Sequence, residues 1–345
     1  MGVRKMRGEQ NRNFSDARFP SAGRIGTWDW RTRAVGRIGH KTMSAAGILP
    51  AARTHALREA LEHFGKAAQQ TQKPQLQVVY ATRNDWNRTN SAQHMAVLDA
   101  SFNPPTRAHL ALARLHRSAT QPAINYDAHI LIFSVRNADK GRGRPGDATA
   151  LQRLEMIELL AKQLERDLPD PNVVVALVDE PLVFSKSTLI HAALGTQAPL
   201  YLYWLMGGDT ITRVFQVKYY GSEKHLEQVC TQFFGQQRSK IVCAERSVDS
   251  VQGHAGHPSW SGTQSESDEV NMLLQQPGPA HEWYCKGAIE LRKLDPDAAR
   301  HSSTAVRRFL ENSPRTPHVR EELAQLVPST LVDYLFTQPI YGPTE

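Results

Sequence analysis

A chain of 345 residues and 38.6 kDa, 40% of them hydrophobic, leaves room for one large domain or two ordinary ones and is expected to bury a full core. The formal charge of +7 comes entirely from residues 1–42, which hold ten basic and three acidic side chains; the remaining 303 residues balance at 31 each, which argues against a nucleic-acid surface spread over the body. Three widely spaced cysteines (Cys230, Cys243, Cys285) argue against a disulfide framework or a cysteine zinc site and suit a reducing compartment, and no apolar run approaches the roughly 18 residues of a membrane-spanning helix.

In chain order, residues 1–42 carry Arg and Gly at short intervals with no helical or strand period, and they are expected to be a basic disordered extension. A mitochondrial transit leader is the alternative, although glycines at 23, 26, 36 and 39 interrupt the amphipathic helix that one needs. A third reading places these residues upstream of a start at Met43, where an amphipathic helix opens cleanly. The expected location is cytoplasmic or nuclear, or mitochondrial if the leader reading holds. Residues 43–345 are expected to form a single domain. The pattern predicts a helix over 52–69, strands over 76–81 and 95–100, a helix over 105–118, a strand over 129–134 and a helix over 148–166. It continues with a strand over 172–178, a helix over 186–194, a strand over 200–206, a helix over 222–234 and a strand over 240–244. Short, almost wholly apolar strands alternating with helices predict an α/β fold, a parallel sheet covered on both faces. Residues 246–281 lose all apolar period and are expected to be a long surface loop. A strand around 284–293, a helix from about 302 to 311 and a final helix pair ending near 336 complete the pattern.

The most informative stretch is VLDASFNPPTRAHLALARLH, residues 97–116, in which a buried strand runs into a polar turn and then a helix. Ser101 and Asn103 can cap backbone donors, Pro104 and Pro105 suit a helix entrance, and a helix N-terminus offers free N–H groups to phosphate. Thr106 and His109 are three apart and share a face, so a hydroxyl and an imidazole can donate to charge that builds on a transferred phosphoryl group. A second such helix opening comes at Ser302, Ser303 and Thr304. These are ordinary caps alone, but Arg307 follows on the same face, where its guanidinium can grip phosphate oxygens in pairs. Between them, a strand ends in Gly207, Gly208 and Asp209, placing flexible backbone and a carboxylate at one sheet edge. The turn 136–147 is basic and Gly-rich, with Lys140 as the candidate cation and Arg142 and Arg144 as weaker ones. His254 and His257 read as HxGH, yet they sit in the unpatterned loop without a scaffold, and too few close ligands accompany them for a metal site.

SFNPPTRAH together with SSTAVRR resembles the HxGH nucleotidylyl transferase superfamily. Within it, GGDTITRVFQVKYY (207–220) and VPSTLVDYL (327–335) are similar to the fungal branch of the nicotinamide mononucleotide adenylyltransferases. The resemblance covers most of residues 95–340, with Ala100 where the family has Gly, His301 where it has Ile, and the 246–281 stretch as an addition. It implies a Rossmann-like sheet and direct in-line attack of the phosphate of nicotinamide mononucleotide on the α-phosphorus of ATP, giving NAD and pyrophosphate without a protein nucleophile. It further implies Mg²⁺ carried in on ATP with no dedicated protein metal site. His109 and Thr106 would hold the reacting phosphates, and Lys140 and Arg307 would neutralise the triphosphate. Ser302, Ser303 and Thr304 would cap its far end, Ser101, Phe102 and Asn103 would line the substrate, and Gly207, Gly208 and Asp209 the adenosine. Which groups contact the nicotinamide is not readable from the sequence, although Trp204 and Arg213 are nearby in it. The partners implied are ATP and the mononucleotide, with no nucleic acid and no membrane. Two alternatives stay open: a sister enzyme with another phosphorylated acceptor, and a non-catalytic nucleotide-binding regulator.

Overall fold

The structure, a computed structural model, describes residues 48–71, 73–87, 91–117, 124–135, 146–194, 198–245 and 262–342. The expectations placed on residues 1–42 and the HxGH at 254–257 lie outside the described residues.

Seven strands form one sheet in the order β1-β4-β3-β2-β5-β6-β7: β1 Leu76–Ala81, β2 Gln93–Asp99, β3 Ala128–Ser134, β4 Val173–Val178, β5 Leu200–Gly207, β6 Lys240–Glu245 and β7 Ile289–Lys293. Every residue of the VVVALV strand β4 is buried, as a strand must be when helices cover both of its faces. From β2 to β7 all pairings are parallel, but edge strand β1 runs antiparallel to β4. The expected parallel sheet is therefore mixed. Apolar periodicity shows that a segment is a strand and says nothing about its direction; a helix precedes β1 in the chain.

That helix is α1 (Ala51–Thr71), and with α2 (Arg107–Ala113) and α3 (Ala150–Asp167) it covers one face, burying Leu57, Phe64, Leu112 and Leu159 in a shared core. The opposite face carries α4 (Val183–Leu194), α5 (Gly208–Val214) and α6 (Glu223–Cys230) around Phe184, Trp204, Ile211 and Phe233. A π-helical turn, Thr231–Gln236, extends α6, so the helix expected over 222–234 is present with a changed last turn. Next come α7 (Gly262–Gln275) and α8 (Pro279–Cys285) on the second face. After β7 the chain returns to the first face through α9 (Pro296–Ala299), α10 (Ser303–Asn312), α11 (Pro317–Leu326) and α12 (Ser329–Thr337).

Two expectations are corrected here. The stretch 246–281 is not all loop, since α7 and the start of α8 occupy it; Val270 and Leu274, one turn apart, are the buried anchors of an otherwise polar helix. The strand expected from 284 begins only at Ile289, because Tyr284 and Cys285 close α8 and Gly287, at φ +70°, turns the chain.

Counted from β2, the parallel strands follow the order 3-2-1-4-5-6. The connection from β2 runs over one face and those from β5 over the other, so the chain diverges at the carboxyl ends of β2 and β5 and opens a crevice there, the usual ligand position of such sheets. The turns after both strands are those singled out in the sequence.

Candidate functional site

The turn leaving β2 is rigid. Phe102 adopts φ +46° with its ring fully buried, an unusual conformation for a side chain with Cβ. Its ring lies 5.6 Å from that of His109. Asn103 and Pro104 are joined by a cis peptide bond. The Asn103 amide ties the turn to its surroundings: Nδ2 donates to Asp147 at 2.7 Å, and Oδ1 accepts from Ala148 N–H at 3.2 Å and from the Tyr341 hydroxyl at 2.6 Å. Burial raises the pKa of that phenol, so it stays a donor. Phe102 and Asn103 therefore shape the turn with their side chains.

Thr106, fully buried, is the N-cap residue of α2. Its backbone N–H donates to His109 Nδ1 at 3.1 Å, which assigns Nδ1 as an acceptor and puts the proton of the neutral ring on Nε2. Thr106 Oγ1 is 2.9 Å from the same nitrogen and donates to the carbonyl of His301 at 3.0 Å. His301 is itself kept neutral: burial, then the charges of Arg107 and Arg300, push its pKa below 6.5.

The second motif lies directly against the first. Ser303 Oγ donates to the Pro104 carbonyl at 2.7 Å, and Arg307 Nη1 donates to the Asn103 carbonyl at 2.6 Å, links across about 200 residues of chain. Arg307 Nη2 donates to Thr304 Oγ1 at 3.2 Å, and Nε lies 3.8 Å from Asp147. Ser302 accepts from Ala305 N–H at 3.1 Å as the N-cap residue of α10. The structure thus brings Asn103, Thr106, His109, Ser302, Ser303, Thr304 and Arg307 into one neighbourhood. It does so by packing the α2 and α10 entrances on each other, so the guanidinium and the Ser303 hydroxyl already bind protein.

At the end of β5, Gly208 opens α5 in close contact with α7: a Cβ there would stand 2.9 Å from Glu266 Oε1 and from Val270 Cγ2. Glu266 also accepts from Asp209 N–H at 3.0 Å, and the Asp209 carboxylate accepts from Arg213 Nη2 at 3.0 Å. Gly207 and Gly208 lie on the crevice edge, with Gly208 required for helix packing. Trp204 is buried against Phe233 in the core of the second face and does not reach the crevice. Lys140, Arg142 and Arg144 lie outside the described residues.

Sequence reasoning missed Asp147, Tyr341 and the pair Asp99 and Lys186, whose buried ammonium meets Asp99 Oδ2 at 2.5 Å beneath the turn. Asp147 stands in a Gly-rich loop and Tyr341 near the C-terminus, and nothing in local pattern links either to Asn103. Among the described residues no three His, Cys, Asp or Glu side chains converge as metal ligands, so the donor set offers no cage for a divalent ion.

No family model matches the chain. A solved structure of the Plasmodium falciparum nicotinic acid mononucleotide adenylyltransferase, complexed with APC, aligns with a TM-score of 0.39 and 13% identity over 72% of this chain and 97% of that one, too loose a likeness to bear on the site. A Schizosaccharomyces pombe protein named "Putative nicotinamide mononucleotide adenylyltransferase" is 34% identical over 153 residues, 44% of this chain, and the match spans about half, 53%, of that relative's length. In sequence the chain is therefore similar to the nicotinamide mononucleotide adenylyltransferases, the group that its SFNPPTRAH and SSTAVRR segments resemble.

Proposed function

We propose that the protein joins the adenylyl part of ATP to nicotinamide mononucleotide. A phosphate oxygen of the mononucleotide attacks the α-phosphorus, the bond from that phosphorus to the bridging oxygen breaks, and pyrophosphate leaves with the electron pair. The observation that carries this reading is the meeting of the α2 and α10 entrances beside the point where strand order reverses, with Nδ1 of His109 accepting from the Thr106 N–H so that the ring proton sits on Nε2. A positioned imidazole N–H can bond the α-phosphate oxygens as their charge grows. Holding two nucleotides in line supplies an effective molarity on the order of 10⁵ M or more without a protein nucleophile. ATP enters as its magnesium complex in this proposal, and no step depends on a protein-held metal.

Purified full-length protein given ATP, magnesium and either nicotinamide or nicotinate mononucleotide should release pyrophosphate and form one dinucleotide, resolved by chromatography. ATP binding with no pyrophosphate from either acceptor would sink this reading and favour a nucleotide-binding regulator.

A further inference from the structure

Lys186 sits in the first turns of α4 with its side chain only 3% exposed, and its Nζ donates to Asp99 Oδ2 at 2.5 Å. Asp99 is the last residue of β2, directly before the Ala100 to Asn103 turn. Two residues beyond Val97, it faces the same side of the sheet as Met95 and Val97, toward α4 and α5 and beside the end of β5. The Asp99 side chain is 14% exposed and that of Lys186 3%, so the pair lies just under the surface at the end of β2.

Stability does not account for such a pair. Desolvating both charges costs several kcal/mol each, and a well-packed apolar pair of similar volume commonly serves as well or better. An ammonium also carries three donors, and among the described residues Lys186 Nζ has Asp99 as its one partner. Among the described residues, two cations of the motifs already bind protein: Arg307 with Asn103 and Thr304, and Arg213 with Asp209. A polyanionic nucleotide at this edge needs positive charge from elsewhere, and a bare Asp99 beside the turn would repel it.

We propose that Lys186 is a phosphate-binding residue of the crevice. Asp99 holds its ammonium at the carboxyl end of β2, and the spare N–H groups bond a phosphate oxygen of a bound nucleotide. This deepens the adenylyltransferase reading and rests on it. Calorimetric titration of full-length protein with ATP alone and with nicotinamide mononucleotide alone tests it, using wild type, the double variant Asp99→Leu/Lys186→Met, and Asp99→Asn. The double variant is expected to melt at or near the wild-type temperature yet bind at least one nucleotide ten-fold or more weakly, and the arm that weakens names the phosphate. Asp99→Asn, which keeps the ammonium and releases it from its carboxylate, is expected to bind that nucleotide within two-fold of wild type, or more tightly. Wild-type affinity for both nucleotides in the double variant overturns the proposal and leaves the adenylyltransferase reading standing. Should the double variant not fold, a ten-fold loss in Asp99→Asn overturns it instead, since freeing the cation would then have weakened binding. Failure of the wild type to bind either nucleotide removes the reading and this proposal together.

Discussion

His109 is held by a bond that fixes which of its nitrogens donates, and the value of that arrangement to turnover can be measured directly. With Nδ1 accepting from the Thr106 N–H, the ring proton sits on Nε2, the donor that the proposed transfer would use. His109→Ala is expected to lower kcat of the dinucleotide-forming reaction by roughly 10² or more, the usual loss for one preorganised donor. The variant also takes the acceptor from the buried Thr106 N–H, so a stability loss of about 1–3 kcal/mol is expected beside it; unchanged kcat in variant protein shown to be folded would remove His109 from the chemistry. Thr106 differs because its hydroxyl ties α2 to the His301 carbonyl from a fully buried position. Thr106→Val is isosteric but leaves that carbonyl short of a donor, so it is expected to cost about 1–3 kcal/mol of stability in chemical denaturation as well as activity. Both residues were legible because turn, hydroxyl and imidazole fall within nine positions of one motif. The Asn103 partners were not, since Asp147 and Tyr341 lie 44 and 238 residues away, and sequence spacing carries no sign of a contact made by folding.

Among elements, α1, α3 and β1 are clasped by a buried ion pair. Arg53 Nε donates to Glu158 Oε2 at 2.7 Å and Nη2 donates to the Val79 carbonyl at 2.7 Å, with the Glu158 side chain only 2% exposed. Glu158→Ala leaves the guanidinium buried without its counter-charge, which typically costs 3–5 kcal/mol. Urea denaturation should show the loss as a lowered midpoint with unchanged slope, and Glu158→Gln, which retains an acceptor, should lose less. A pair of variants with equal midpoints would mean that the charge contributes nothing. In sequence, Arg53 and Glu158 are polar letters inside two amphipathic helices, and polar positions read as solvated by default. The same default hid α7, whose run GTQSESDEVNMLLQ opens polar and places its buried anchors Val270 and Leu274 in its second half. By contrast β4, β5 and the central helices declared themselves, because burial on both faces or along one stripe leaves an unbroken apolar pattern. Gly207 and Gly208 read as a turn, since glycine weakens helices; the close approach of α7 is what Gly208 permits.

At the scale of the whole molecule, the sheet buries histidines in the neutral form, which makes the fold sensitive to acid. His129, near the start of β3, is 6% exposed and meets Tyr126 edge-on at 5.6 Å. Burial, with a smaller push from His116, lowers its pKa from 6.5 to about 4. The sign follows from proton counting. Between pH 6.5 and 4 the unfolded chain holds the proton and the folded chain does not, so the stabilising contribution is complete above 6.5 and is lost as pH falls toward 4. At about 1.4 kcal/mol for each pH unit, the loss approaches 3 kcal/mol. His94, His191 and His301 are shifted downward as well, each chiefly by burial, and act in the same direction. Carboxylates titrate there too, so the clean measurement is a difference between two proteins. His129→Phe keeps an aromatic ring in the same site without a titrating nitrogen. Its unfolding free energy, followed by denaturant titration at half-unit steps from pH 7.5 to 4.5, should gain on the wild type by about 2–3 kcal/mol as the pH falls, whatever its offset at pH 7.5. Two parallel curves would show that His129 takes up its proton in the folded state as easily as in the unfolded one, and that the acid sensitivity of the sheet originates elsewhere.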